Sequence, residues 1–291
     1  DVELRNLRHA MVIEGAAMVN AVAEITSRVA AGDTVTELDV VEALSRFRAE
    51  HSSYRGDSFG TIAGYGAHGA IVHYEPTPET NATLRPEGLL LIDTGGQYLH
   101  GTTDITRTIS LGNPTAEERH DFTLVLKGHI ALACALFPEG TRGAQLDVLA
   151  RQFLWQEGKT YLHGTGHGVG YFLNVHEGPQ SIRLQENPVA LRPGMVTSDE
   201  PGLYLSDRYG IRCENLVLTI DAGTSEFGRF LKFSVLSLFP FDRTLLDFSI
   251  LTDGEISWLN TYHRKVWAEL ADYVQGAARQ WLEDACAPIS R

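Results

Sequence analysis

The residues of this chain that can do chemistry are carboxylates that close or interrupt apolar runs, and a group of histidines set among glycines. Leu89-Leu90-Leu91-Ile92-Asp93 reads as a buried strand ending in a carboxylate, which is costly unless a cation meets it. The Gly95-Gly96 turn and its return strand can bring Asp104 beside Asp93, an arrangement that suits a capped hairpin with a buried salt bridge as well as a metal site. Further on, His163-Gly164-Thr165-Gly166-His167-Gly168-Val169-Gly170 precedes Asn174-Val175-His176-Glu177. His163 and His167 have i, i+4 spacing, but the interleaved glycines disfavour a helix. They let backbone and imidazoles crowd around a small object, and they lack the Lys-Ser/Thr that follows a phosphate loop. Glu200 closes the run Val196-Thr197-Ser198-Asp199 ahead of Pro201-Gly202. Period-two alternation puts Arg212 and Glu214 on one face of a strand. An ordinary Arg-Glu pair would account for those two, but not for Asp93, Glu200 and Glu214 all ending or interrupting apolar strands.

Four carboxylates and one histidine make an oxygen-rich donor set that suits Mn²⁺ above all, with Co²⁺, Fe²⁺ or Zn²⁺ admitted by the imidazole. Two divalent ions would cancel the repulsion among the carboxylates, acidify a bridging water and polarise a carbonyl, which is the chemistry of metal-assisted hydrolysis.

The elements that carry these residues come in two cycles. Leu7, Met11, Met18, Val22, Ile25 and Val29 recur at helical spacing and predict a long amphipathic helix ended by Gly32-Asp33. A second helix follows Thr36 as N-cap and runs to about Glu50. Strand-like runs come next at 58–63, 70–74, 88–93 and 104–111. The capping-box spacing of Thr115 and Glu118 opens a third helix through Phe137, and Gly143 to Gln156 gives a fourth. Strand-like runs return at 171–175, 195–200 and 211–220. Two helices followed by strands, twice over, predict a duplicated α+β domain whose sheet halves face one cleft. Residues 229–291 read as an appendage, with Thr252 capping a helical tail whose Trp258, Trp267 and Trp281 belong to a core or a subunit interface.

Length and charge narrow the classes further. The 291 residues carry 24 Lys+Arg against 37 Asp+Glu, a formal net charge of −13. No basic run tracks a phosphate backbone, so nucleic-acid binding is disfavoured. Cys134, Cys213 and Cys286 are unpaired in spacing and fit a reducing cytosol. No apolar stretch approaches the roughly 20 residues of a membrane span, so a soluble, cytoplasmic protein is expected. A chain that opens at Asp1 and enters a helix at once reads as a piece of something longer.

The ordered set Asp93, Asp104, His167, Glu200 and Glu214 resembles the dinuclear metal ligands of the pita-bread metallopeptidases, which include methionine aminopeptidase, prolidase and Xaa-Pro aminopeptidase. The likeness is greatest to the catalytic domain of cytosolic Xaa-Pro aminopeptidase, aminopeptidase P. It extends over Gly69 to Tyr74, Asp93 to Thr108, His163 to Glu177, Thr197 to Tyr204, Gly210 to Leu216, Leu251-Thr252-Asp253 and Trp258 to His263, nearly the whole chain. The resemblance implies a pita-bread (creatinase/aminopeptidase) α+β fold with a C-terminal helical extension. The catalytic domain would span 1–228 and the extension 229–291, with further N-terminal domains ahead of Asp1. It also implies a homodimer, two divalent metal ions, and removal of an N-terminal residue that precedes proline, with neither nucleic acid nor membrane as partner. By the same likeness Asp93 and Asp104 bind one metal and His167 the other, while Asp104, Glu200 and Glu214 are shared or bridging. Glu200 would be the general base. His73 and His176 would contact the scissile peptide, His163 would line the substrate pocket, and Arg212 with Tyr204 would hold Asp93. The chain departs from the family at His100, where an acidic residue is usual, and at His68, where Asn is usual. Two other readings stand beside this one: a prolidase restricted to dipeptides, and a non-catalytic pita-bread protein that binds peptides or proteins.

Overall fold

The computed structural model describes residues 1–290. Helix α1 (Val2–Ala31) ends on Gly32, whose left-handed φ of 84° leaves its N–H free to cap the Arg28 and Val29 carbonyls. Helix α2 (Glu37–Ala49) starts from the reciprocal Thr36–Asp39 capping box. Strands β1 (Tyr54–Asp57), β2 (Ile62–Tyr65), β3 (Leu89–Thr94), β4 (Gly96–Tyr98), β5 (Gly101–Thr102) and β6 (Ile105–Ser110) complete the first half. The second half runs α3 (Ala116–Ala133), β7 (Leu136–Pro138), α4 (Gly143–Trp155), β8 (Gly166–His167), β9 (Ser181–Ile182), β10 (Val196–Asp199), β11 (Gly202–Leu205), β12 (Tyr209–Arg212), β13 (Asn215–Ser225) and β14 (Gly228–Val235). Helices α5 (Asp253–Leu270) and α6 (Gly276–Ala285) form the tail. The expected duplication is present: a helix pair precedes the antiparallel sheet β2-β3-β6, and a second pair, with β7 between its two helices, precedes the other strands of β10-β13-β14-β7.

The two halves meet through backbone and hydroxyl bonds beside the carboxylates. Glu214 N–H donates to the Thr106 carbonyl at 3.1 Å, and Arg212 N–H donates to Thr108 Oγ1 at 3.0 Å. A buried ion pair fixes the first half: Arg48 binds Glu14 at 2.7 Å and also donates to Thr94 Oγ1, while Glu14 accepts from Tyr98 and Thr103. This pair clamps both ends of the segment that carries Asp93 and Asp104. Removing one partner of such a pair costs roughly 3–5 kcal/mol because the other charge stays buried.

Four local expectations are corrected. Residues 70–74 are not a strand: a 3₁₀ turn (Gly66–Ala70) leads into tight turns in which Tyr74 N–H bonds the Ile71 carbonyl, and the Tyr74 hydroxyl goes to Glu37. Residues 171–175 are not a strand either. They form a turn closed by Gly170 N–H to the Asn174 carbonyl, and the Leu173 carbonyl is taken up by Gln97 and Thr102 side chains. The third helix stops at Ala133 rather than Phe137, since Leu136–Pro138 pairs with β14 as an edge strand. Helix α1 also meets the length and hydropathy of a membrane span, contrary to the sequence expectation, but 72 % of its most apolar window is buried inside the protein. It serves as the core helix, with Leu7, Met11, Met18, Val22, Ile25 and Val29 all buried.

Strand β14 crosses the expected 228/229 boundary and pairs with β13 from Val217↔Val235 to Ser225↔Gly228. The tail is pinned by Tyr262, whose hydroxyl accepts from Arg107 at 2.8 Å, while Trp258 stacks on the Tyr262 ring at 5.4 Å. All three cysteines are free thiols.

Candidate metal centre

Asp93 lies opposite Thr106 in the β3–β6 register, and Asp104 immediately precedes β6 on the face of Thr106. His167 enters from the second half at β8. Its approach depends on glycine: a Cβ on Gly166 would collide with the Ser198 carbonyl, and one on Gly168 with the Glu177 carbonyl. Glu200 follows β10 and is fixed by its N–H bond to the Thr165 carbonyl at 2.8 Å. Glu214 occupies the break between β12 and β13, so the run expected over 211–220 is two strands.

These five side chains share one cavity of about 450 Å³ with His73, His163, His176 and Arg212, and Phe59, Ile62, Val72 and Val175 supply an apolar wall. Ligand atoms of Asp104, His167 and Glu214 all lie within 4.8 Å of one another. His167 Nε2 is 3.4 Å from Asp104 Oδ2 and 3.3 Å from Glu200 Oε1, while its Nδ1 donates to the Gly168 carbonyl at 2.9 Å. That bond selects the tautomer and aims Nε2 at the carboxylates, as in metal-ligating histidines.

Arg212 does not pair with Glu214. Its Nη2 donates to Asp93 Oδ2 at 2.6 Å and its Nη1 to the Tyr204 hydroxyl at 2.7 Å, and Tyr204 in turn meets His163 Nε2 at 2.8 Å. Since His163 Nδ1 donates to the Gly164 carbonyl, Nε2 accepts, and one chain of bonds runs from Asp93 to His163. Tyr204 stands behind the cavity wall rather than in it. Sequence reading missed two hydroxyls: Thr106 Oγ1 donates to Glu214 Oε2 at 2.6 Å, and Ser198 Oγ to Glu200 Oε1 at 3.0 Å. Each sits two residues from a carboxylate already singled out, so the same-face rule for strands was the available signal.

The electrostatics are those of a site built around positive charge. Burial, opposed by His167 and reinforced by Asp93, pushes Asp104 up to about 6. Burial, with His167 opposing and Asp104 adding, pushes Glu200 up to about 7. Burial and the Asp104, Glu200 and Asp93 charges drive Glu214 well above the carboxylate range. Burial works against charged His167, but its Asp104 hydrogen bond and the Glu200 and Asp104 charges raise it to about 9. Asp93 Oδ1 is buried without any hydrogen-bond partner. An orphaned carboxylate oxygen, a converged Asp-His-Glu group and raised carboxyl pKa values together fit a hard or borderline divalent cation. Asp93, Asp104, His167, Glu200 and Glu214 are the groups that would hold it.

Binding must therefore displace protons. Mn²⁺ affinity of the metal-free protein is expected to fall as pH drops from 8 to 6, by roughly tenfold per unit for each proton displaced, with protons released on binding. Calorimetry in buffers of different ionisation enthalpy measures both, and a pH-independent affinity would contradict this electrostatic account.

Comparison with known proteins agrees with this geometry. A model of metallopeptidase family M24 matches residues 5–221, and one of the C-terminal region of that peptidase family matches 229–289. Aminopeptidase P2 of Arabidopsis thaliana is 44 % identical over 296 residues, covering 100 % of this chain and 42 % of that protein. The crystal structure of an X-prolyl aminopeptidase from Caenorhabditis elegans, described as a cytosolic enzyme with a di-nuclear active site, matches with a TM-score of 0.94 and 38 % identity, over 99 % of this chain and 48 % of that one. A prolidase from Pyrococcus horikoshii matches with a TM-score of 0.70 and 26 % identity, over 82 % of this chain and 62 % of that one. The chain spans less than half the length of these two aminopeptidases, the Arabidopsis thaliana and Caenorhabditis elegans proteins. Its fold is the pita-bread fold, and the chain belongs to metallopeptidase family M24.

Proposed function

We propose that this chain is the catalytic part of a manganese-dependent Xaa-Pro aminopeptidase that cleaves the bond between an N-terminal residue and a penultimate proline. The observation that carries the reading is the convergence of Asp93, Asp104, His167, Glu200 and Glu214 on one cavity ringed by three further histidines. Two divalent ions held there would supply Lewis acidity toward a peptide carbonyl and a water acidified to near-neutral pKa.

The chain's own residues then have these roles. Glu200 takes and returns a proton: burial raises its pKa to about 7 in the metal-free cavity, and cations beside it would favour the ionised carboxylate that accepts a proton. Ser198 steadies the Glu200 carboxylate, and Thr106 does the same for Glu214. His176 is pulled down by burial and by the neighbouring His167, so it is a neutral N–H donor for the carbonyl oxygen or the leaving proline nitrogen. His73 works beside it in the same cavity. Burial pushes His163 down to about 4, which keeps it neutral as it lines the substrate pocket. Arg212, with Tyr204, fixes Asp93 and neutralises its charge.

The same reading assigns 1–228 to the catalytic unit and 229–291 to an extension braced on it through β14 and Tyr262, in a cytosolic homodimer. Aminopeptidase P2 of Arabidopsis thaliana is 44 % identical over the whole chain, whereas the prolidase is 26 % identical over 82 % of it, which favours the aminopeptidase. Xaa-Pro-Pro tripeptides are therefore expected to be hydrolysed by the intact protein in Mn²⁺. Hydrolysis confined to Xaa-Pro dipeptides would make it a prolidase instead.

A further inference from the structure

Outside the carboxylate cavity the chain gathers three imidazoles from three separate elements. His9 lies on α1, His51 just past the end of α2, and His100 in the turn between β4 and β5. The rings of His9 and His100 are 4.8 Å apart at 89°, those of His9 and His51 6.0 Å at 73°, and those of His51 and His100 6.3 Å at 67°. None of the three lines the cavity of the carboxylate site. A tetrahedral ion about 2.1 Å from each of three imidazole nitrogens would hold the ring centres about 5 Å apart, a spacing that His9 and His100 already have and that the two His51 pairs exceed by about 1 Å.

We propose that His9, His51 and His100 form a second, three-imidazole site for a borderline divalent cation of the Zn²⁺ class. His100 Nδ1 is buried and has no hydrogen-bond partner, so a strong acceptor of coordination or of a proton is left unused there. His51 Nδ1 lies 2.8 Å from Ser53 Oγ. With the proton on Nδ1 the hydroxyl accepts it and Nε2 is left for an ion, the arrangement by which outer partners orient ligating histidines. In the other tautomer Nδ1 accepts from Ser53 N–H at 3.2 Å, so ion binding selects between the two. Burial and the mutual charges of the cluster lower His51 and His100, which keeps both in the neutral form that ligates. The three nitrogens are less converged than the Asp104–His167–Glu214 group. Convergence requires the His51 ring to approach the other two by about 1 Å through χ1 or the backbone just past α2, after which rotation about χ2, a broad torsion, aims each nitrogen. An all-imidazole donor set suits Zn²⁺, Ni²⁺ or Cu²⁺ and disfavours Mn²⁺, so the two sites would differ in the metal they take.

The test uses Zn²⁺ itself. Zinc bound per chain is counted after equilibrium dialysis for the parent protein and for His9→Gln, His51→Gln and His100→Gln. Each variant is expected to bind one ion fewer than the parent, with Mn²⁺-supported tripeptide hydrolysis unchanged within about twofold because the carboxylate site is intact. A variant that binds as many zinc ions as the parent overturns the three-ligand site. Should a variant fail to fold, the parent alone decides by imidazole modification with diethyl pyrocarbonate and mass spectrometry. Zinc should protect His9, His51 and His100 together, and modification of any one of them unaffected by zinc overturns the proposal.

Discussion

Replacing Glu200 by alanine should lower kcat for an Xaa-Pro-Pro tripeptide by roughly 10²–10⁴-fold, the usual contribution of a positioned acid–base group. Glu200 meets the geometric and electrostatic demands of that role together. It is anchored through its own N–H to Thr165 and through its carboxylate to Ser198, and Oε1 lies 3.3 Å from His167 Nε2. Burial raises its pKa to about 7 in the metal-free cavity, and bound cations would favour the carboxylate form that accepts a proton. Because Glu200 also belongs to the carboxylate set, metal content must be measured on the same sample. Turnover lost with both ions retained assigns the loss to proton transfer, and turnover lost together with an ion assigns it to ligation. Near-parental turnover would remove Glu200 from the mechanism.

The second large effect is expected at His176. Its ring packs edge-on against His167 with centroids 4.2 Å apart, it lines the cavity, and burial lowers its pKa and so favours the neutral form. A neutral N–H donor aimed at charge that develops only in the transition state contributes to kcat rather than to substrate affinity. His176→Ala is expected to lower kcat by roughly 10²–10³-fold with KM changed far less and metal content unchanged. A variant whose loss lies wholly in KM would show that His176 only binds the ground state.

The carboxylate site was legible because an Asp or Glu that ends an apolar strand violates the ordinary rule for buried charge. Asp93, Glu200 and Glu214 each do so, and each lies in the cavity. Asp104 and the histidines followed from spacing and from family likeness, and they line the same cavity. What periodicity could not supply was the partner of each charge: Arg212 crosses to Asp93 on the other half of the fold instead of pairing along its own strand. Residues 70–74 and 171–175 have the apolar texture of strands, but glycine-dependent close packing and side chains such as Gln97 and Thr102 satisfy their backbones instead. The grouping of His9, His51 and His100 left no local signal, since three elements distant in sequence create it only on folding. The acidic surplus of the composition now has a local part, three buried carboxylates and the half-buried Glu200, whose mutual repulsion requires cations, and a larger remainder elsewhere in the chain.

The most direct test of the central claim is the metal content of the intact protein after supply of Mn²⁺, measured alongside tripeptide cleavage. The account predicts about two divalent ions per chain at the carboxylate site and hydrolysis of Xaa-Pro-Pro that disappears on chelation and returns with Mn²⁺. Fewer than one ion per chain, with no Xaa-Pro-Pro cleavage, would contradict it and leave a metal-free peptide-binding protein on the same fold.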